Sequence, residues 1–211
     1  MFRMGKEEIE AVKTVIKSTD LFRINNNARE VDHFEEEWAA KIGTKYALGL
    51  TSGTAALITS LAALGIGPGD EVIVPGYTFM ATASAVLSVG AIPVIVEVDE
   101  TLTIDPCEIE KKITKFTKAI IPVHLNGFPC DMDRIMQLAK KYDLKIVEDA
   151  CQADGGSYKG MRLGSIGDIG TFSFNYYKII SSGEGGALVT NDKLLYQRAL
   201  VDLSYLCWGP I

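Results

Sequence analysis

Apolar residues fall along this chain in two rhythms. Ile9, Val12, Val15 and Ile16 recur at the three- and four-residue spacing of a helix face. After the polar stretch STDLFRINNNAREV the same spacing returns at Val31, Phe34, Trp38 and Ile42. From there compact apolar runs alternate with helical patterns. KYALGL precedes a helix through Leu57, Leu61 and Leu64, and DEVIVPG precedes TFMATASAVLSVG, which reads as helical throughout. IPVIVEV, KAIIPVHL and KIVEDA continue the series of strands. The helices between them are one opened by Asp105 as N-cap, Pro106 at N1 and Glu108 at N3, and then DMDRIMQLAKKY. With GTFSF and GGALVT the count reaches about seven strands. Such alternation predicts an α/β chain with a mostly parallel sheet between helices. The last two strands have no helix between them, so one of them is expected to run antiparallel.

Composition narrows the function classes. The 211 residues are 47% hydrophobic and 23% charged, with a net charge of -6. No basic stripe is present, which argues against nucleic acid as the ligand. No apolar run reaches membrane-spanning length, and the N-terminal MFRMGKEEIEAV is acidic and amphipathic, so the chain is expected in the cytoplasm. Cys107, Cys130, Cys151 and Cys207 are scattered, and His33 and His124 are the two histidines. Neither set has metal-ligand spacing, and the cysteines read as reduced thiols.

In open parallel sheets ligands bind beyond the carboxyl ends of the strands, and polar residues cluster there. TSGTAAL follows the first strand and opens a helix. Gly53 lets the backbone approach a ligand, while Thr54 and Ala55 offer N–H groups at the helix start, an arrangement suited to phosphate. IVEDACQADG ends a strand in Glu148 and Asp149. Successive strand residues point to opposite faces, so one of the two addresses any given site and the other must be paired internally. Phe79 follows another strand and could stack on a planar ring. Ser173 precedes Lys178 by five residues, and Lys178 lies between two apolar strands in a loop rich in glycine and serine. A phosphate cradle, a stacking ring, a carboxylate and a lysine together match the needs of pyridoxal phosphate (PLP).

The sequence resembles the DegT/StrS family of sugar aminotransferases, of the aspartate-aminotransferase-like fold. The resemblance rests on VDHFEEEWAAKIGTKYALGLTSGTAAL, GIGPGDEVIVPGYTFMATASAV, AIIPVHLNGFPCDMD, VEDACQADGGSYKG, GDIGTFSFNYYK and GEGGALVT, in that order. It implies the large domain of PLP-dependent transferase fold type I over residues 31–211, preceded by an N-terminal helix and arm over 1–30. The family's small C-terminal domain is not represented. Lys178 would form the Schiff base with PLP and, once freed, act as general base. Asp149 would pair with the pyridine nitrogen, Phe79 would stack on the ring, and Gln152 would contact its hydroxyl side. Gly53, Thr54, Ala55 and Ser173 would hold the phosphate.

The same resemblance implies transfer of an amino group from glutamate or glutamine to a keto-sugar, usually nucleotide-linked, by a homodimer. Two features depart from the family pattern. Asn126 in VHLNG stands where many relatives carry tyrosine, and FRINNN replaces a glycine-bearing stretch. Relatives also continue well beyond GGALVT, which leaves a non-catalytic PLP-binding or partner-binding protein as the alternative. A keto-cyclitol acceptor or a sugar dehydratase ranks lower, the latter because dehydratases of the family tend to replace the lysine by histidine.

Overall fold

A computed structural model of the chain describes residues 4–21 and 29–208, with side chains described through residue 201. The FRINNN stretch and the Cys207 thiol lie outside the described residues. Among those described, seven strands form one sheet in the order β1-β9-β8-β5-β4-β2-β3. These are β1 (Tyr46–Leu50), β2 (Glu71–Pro75), β3 (Ile92–Val96), β4 (Thr117–Ile120), β5 (Lys145–Asp149), β8 (Ile169–Ser173) and β9 (Gly186–Thr190). A two-residue hairpin of β6 (Ser157–Tyr158) and β7 (Met161–Arg162) stands apart from them. Every neighbouring pair from β3 to β8 is parallel. β9 pairs antiparallel with both β1 and β8, so it is the reversed member that the missing helix foretold.

Strand alternation explains how the helices are distributed. Val72, Val74 and Val147 face one side of the sheet and pack with Leu57 and Leu61 of α3 (Gly53–Ala63) and Ala85 and Val86 of α4 (Ala81–Ser88). Ile73, Ile120 and Ile146 face the other side, against Ile109 of α5 (Pro106–Lys112) and Ile135 of α6 (Met132–Tyr142). The same rule holds at the far edge. Leu48 and Leu188 meet Leu195 and Ala199 of α7 (Lys193–Trp208). Val189 and Phe172 turn the opposite way, to Trp38 of α2 (Glu30–Ile42). There Trp38 sits edge-on to Phe172 and Phe174, with ring centroids 5.1 and 5.0 Å apart, a geometry that suits the opposed charge of ring edge and ring face.

Two expectations change in detail. The α4 pattern begins at Ala81, because the chain from Phe79 to Thr82 makes a turn closed by the Thr82 N–H donating to Phe79 O. The first helix, α1 (Lys6–Ser18), is amphipathic as its spacing predicts but buries none of its residues, and Ile9, Val12 and Ile16 are all exposed.

Candidate active site

Register brings the ends of three strands into line. Leu50 of β1 pairs with Gly186 of β9, and Gly186 pairs with Ser173 of β8. One step further along, β5 ends with Asp149 opposite Thr171. The segments leaving β1, β5 and β8 at their carboxyl ends therefore converge. They enclose a cavity of about 350 Å³ that also takes Phe79 from the turn after β2. Gly53, Thr54, Phe79, Asp149, Gln152, Ser173 and Lys178 all line it. Ala55 does not. Its N–H donates to the Oγ of Ser52, the N-cap of α3, at 3.0 Å, so that donor is used within the protein.

The helix start is built for close approach. The first N–H groups of a helix, here those of Gly53 and Thr54, have no acceptor inside it and carry the positive end of its dipole. A Cβ on Gly53 would lie 2.7 Å from Cys151 Sγ and 2.8 Å from Ser173 Cβ. A Cβ on Gly186 would overlap the Ser52 backbone. Glycine at these two positions is what allows α3, β8 and β9 to meet at one point.

The paired carboxylates divide as the strand geometry requires. Glu148 is fully buried and accepts from the N–H groups of Gly164, Ile166 and Gly167 at 2.9, 2.6 and 2.6 Å. It also contacts His124 Nε2 at 3.0 Å. The Cys130 N–H donates to His124 Nδ1, so the imidazole carries its proton on Nε2 and gives it to Glu148. This carboxylate is a structural hub with its lone pairs satisfied.

Asp149 faces the cavity and is only 5% exposed. Its Oδ2 accepts from Thr82 Oγ1 at 3.0 Å and its Oδ1 from the Cys151 N–H at 3.2 Å. A carboxylate offers about four acceptor sites, so these two contacts leave capacity for a donor entering the cavity. Because the single Thr82 hydroxyl proton goes to Asp149, the 3.0 Å contact between Thr78 and Thr82 has Thr78 as its donor. This relay was not legible in the sequence, where nothing separates Thr82 from the other hydroxyls of YTFMATAS. The only available signal is the helical spacing of Thr78 and Thr82, four residues apart.

The remaining groups are also held in place. Gln152 Oε1 accepts the Asn126 N–H at 3.1 Å, which leaves the Gln152 amide hydrogens to point elsewhere. Asn126 has φ 51°, a left-handed conformation that asparagine tolerates better than most residues. Asn175 organises the loop that carries Lys178. Its carbonyl accepts the Lys178 N–H at 2.9 Å, its Oδ1 accepts the Tyr177 N–H, and its Nδ2 donates to Glu184. Phe79 is 62% exposed at the cavity wall, an open aromatic face and not part of the core.

Two thiols are kept protonated. Burial pushes Cys130 up to about 12, and burial, reinforced by the Asp149 charge, raises Cys151 well above its usual range. Neither is poised as a nucleophile. Among the described residues no group of three His, Cys, Asp or Glu side chains could hold a metal ion, and no helix is long and apolar enough to cross a membrane.

Comparison with known proteins follows the same outline. The model of the DegT/DnrJ/EryC1/StrS aminotransferase family matches residues 3–205. GDP-perosamine synthase of Escherichia coli O157:H7 is 46% identical over 197 residues, which is 93% of this chain and 53% of that protein. The dTDP-3-amino-3,6-dideoxy-alpha-D-galactopyranose transaminase of Aneurinibacillus thermoaerophilus is 49% identical over 178 residues, 83% of this chain and 49% of that protein. Among solved structures, NtdA of Bacillus subtilis with bound cofactor PMP superposes with a TM-score of 0.81 at 36% identity, covering 96% of this chain and 46% of that one. The chain thus spans about half the length of the relatives it matches.

Proposed function

Because this chain belongs to the DegT/DnrJ/EryC1/StrS aminotransferase family, we propose that its cavity binds PLP and that the protein transfers an amino group to a keto-sugar. The observation that carries the reading is the convergence on one cavity of Lys178, a buried Asp149 with acceptor capacity to spare, an open Phe79 face and the glycine-bearing start of α3. Those groups fit the cofactor's aldehyde, ring nitrogen, ring face and phosphate respectively. We read residues 31–211 as the PLP-binding large domain, with residues 1–30 as a helix and arm.

Bound there, PLP supplies a carbonyl that condenses with amines and a ring that withdraws electrons from the carbon they carry. The Gly53 and Thr54 N–H groups and the Ser173 hydroxyl bind the phosphate. The Asp149 carboxylate, fixed by Thr82 and the Cys151 N–H, accepts the ring N–H and holds that proton on the nitrogen. Phe79 covers one ring face and keeps water from it. Gln152, turned by Asn126, donates to the ring hydroxyl. Lys178 Nζ is the amine that would hold the cofactor through its aldehyde and, as the free amine, would serve as general base for the proton on the donor's α-carbon. Glutamate or glutamine is the expected donor, and the relatives that make GDP- and dTDP-linked amino sugars support a nucleotide-linked acceptor. A role in polysaccharide or secondary-metabolite sugar synthesis follows. Three free thiols among the described residues suit a reducing cytoplasm.

The exposed apolar side chains around the cavity, Tyr77, Phe79, Met80 and Tyr177, and the open face of α1 support a homodimer with the cofactor near its interface. The test is a pair of half-reactions on the purified chain loaded with PLP. L-Glutamate or L-glutamine should convert the bound cofactor to its amine form, read by chromatography after release, and a nucleotide-linked keto-sugar should convert it back with gain of the amino group by mass. Bound PLP that no donor converts would contradict turnover and leave a cofactor-binding protein.

A further inference from the structure

Two acids line the cavity, Asp149 and Glu184, and the chemistry above uses only the first. Asp149 is buried at the end of β5, whereas Glu184 stands exposed on the chain that enters β9. Asn175 and Lys178 line the same cavity, so the three residues share one wall. Glu184 also borders the groove that runs between α2 and the Lys178 loop, which places it on the partition between the two spaces.

The loop joining β8 to β9 has a firm base and a loose crown. At the base the Phe174 N–H donates to Gly185 O at 2.8 Å, and the Ser182 N–H donates to Phe174 O at 3.0 Å. The Ser182 hydroxyl donates to the Glu184 carbonyl at 2.8 Å, so the Glu184 backbone belongs to this base. In the crown, Tyr177 is 89% exposed and Ile179 59%. Packing therefore does little to aim the turn that carries Lys178. Hydrogen bonds do it instead. The Lys178 N–H donates to Asn175 O at 2.9 Å and the Tyr177 N–H to Asn175 Oδ1 at 3.1 Å, the asparagine side chain acting as a second backbone acceptor. Asn175 Nδ2 then donates to Glu184 Oε1 at 2.6 Å. Both neighbours demand the same amide orientation, because the Tyr177 N–H can only donate and a carboxylate can only accept.

We propose that Glu184 is a positioning residue for Lys178 that acts through Asn175. Its carboxylate, carried on the fixed base of the loop, holds the Asn175 amide with the oxygen towards Tyr177. That oxygen closes the turn that keeps Lys178 at the cavity wall. A charged acceptor makes this bond roughly twice as strong as a neutral one would be. What Lys178 does once placed rests on the function proposed above. The placement does not, and its first test uses the cofactor-free chain.

The test exchanges the two ends of the bond. Glu184→Ala removes the acceptor, and Glu184→Gln keeps an acceptor oxygen without the charge. Asn175→Asp keeps the oxygen for Tyr177 but sets a second carboxylate against Glu184. Combining Asn175→Asp with Glu184→Gln restores a donor and an acceptor with the polarity reversed. Without PLP, the readout is trace acetylation of Lys178 by peptide mass spectrometry. It is taken relative to Lys145, which pairs with Asp168 at 3.0 Å on a different strand, so that general loosening cancels. Lys178 is half-buried, and losing a hydrogen bond to a charged group favours the released turn by about tenfold. The ratio should therefore rise about threefold or more in Glu184→Ala and Asn175→Asp, and stay within about twofold in Glu184→Gln and in the reversed pair. With PLP, growth of the absorbance of attached cofactor should slow about tenfold in the first two variants and recover in the reversed pair. A flat ratio in Glu184→Ala and Asn175→Asp, or a reversed pair no better than Asn175→Asp alone, overturns the proposal. Equal PLP rates in every variant overturn it too and leave the proposed function standing. If the ratio follows the bond but PLP never attaches to the unmutated chain, the placement stands and the proposed function fails.

Discussion

At the scale of single residues, the site depends on hydrogen bonds to buried carboxylates. Thr82 donates to Asp149 from a fully buried position, and a hydrogen bond to a charged group contributes roughly 1.5–3 kcal/mol. Thr82→Val should therefore weaken PLP binding by about tenfold or more in an absorbance titration, while Thr82→Ser should stay within about threefold of the unmutated chain. Equal losses in both variants would mean that the methyl group, and not the hydroxyl, matters. Asp154 makes the complementary case, in which burial is uncompensated. Its folded value of about 6 lies above the ordinary value of 3.8 because burial penalises the charged form, so folding favours the protonated form. Its contribution is then most favourable below about pH 4 and is lost as pH rises through 6. Two units correspond to about 3 kcal/mol at most. The unfolding free energy of the unmutated chain, less that of Asp154→Asn, should fall across this window. A flat difference would contradict the burial.

At the scale of elements, the cavity exists because α3, β8 and β9 can touch. Gly53→Ala places a methyl group against Cys151 and Ser173, both buried, and should cost about 1–3 kcal/mol, as overpacking does. Gly186→Ala meets the Ser52 backbone, which cannot step aside as a side chain can, and should lower the thermal midpoint further. A Gly186→Ala chain no less stable than Gly53→Ala would contradict this reading of the contact. Much of the architecture was legible here. The alternation of Val72, Ile73 and Val74 predicts a strand covered on both faces, and the absent helix between GTFSF and GGALVT predicts the reversal of β9. Seven of the eight residues named from the sequence do line one cavity. The rest depends on orientation in space. Which of Glu148 and Asp149 faces the cavity follows from sheet register. The roles of Thr82 and Asn175 depend on contacts across 67 and 9 positions of chain, with no local pattern to mark them. Ala55 stands outside that lining, its N–H donating to Ser52 Oγ, a local cap that the TSGTAAL pattern alone does not distinguish from a ligand contact.

At the scale of the whole molecule, the aromatic rim of the cavity and the bare apolar face of α1 lie open on this chain, and such patches mark association surfaces. If the cofactor sits near a two-fold interface, PLP should tighten the dimer, since a ligand that prefers the assembled form stabilises it by mass action. Sedimentation at micromolar chain should show a larger dimer fraction with PLP than without, and a monomer in both conditions would remove the partner from the site. The central claim is nearer the chemistry: Lys178 is the group that takes the cofactor covalently. Borohydride reduction of the PLP-loaded chain, followed by peptide mass spectrometry, tests it directly. The account predicts one phosphopyridoxyl adduct, on Lys178, absent from Lys178→Ala. An adduct at another lysine, or one that survives in Lys178→Ala, would contradict it.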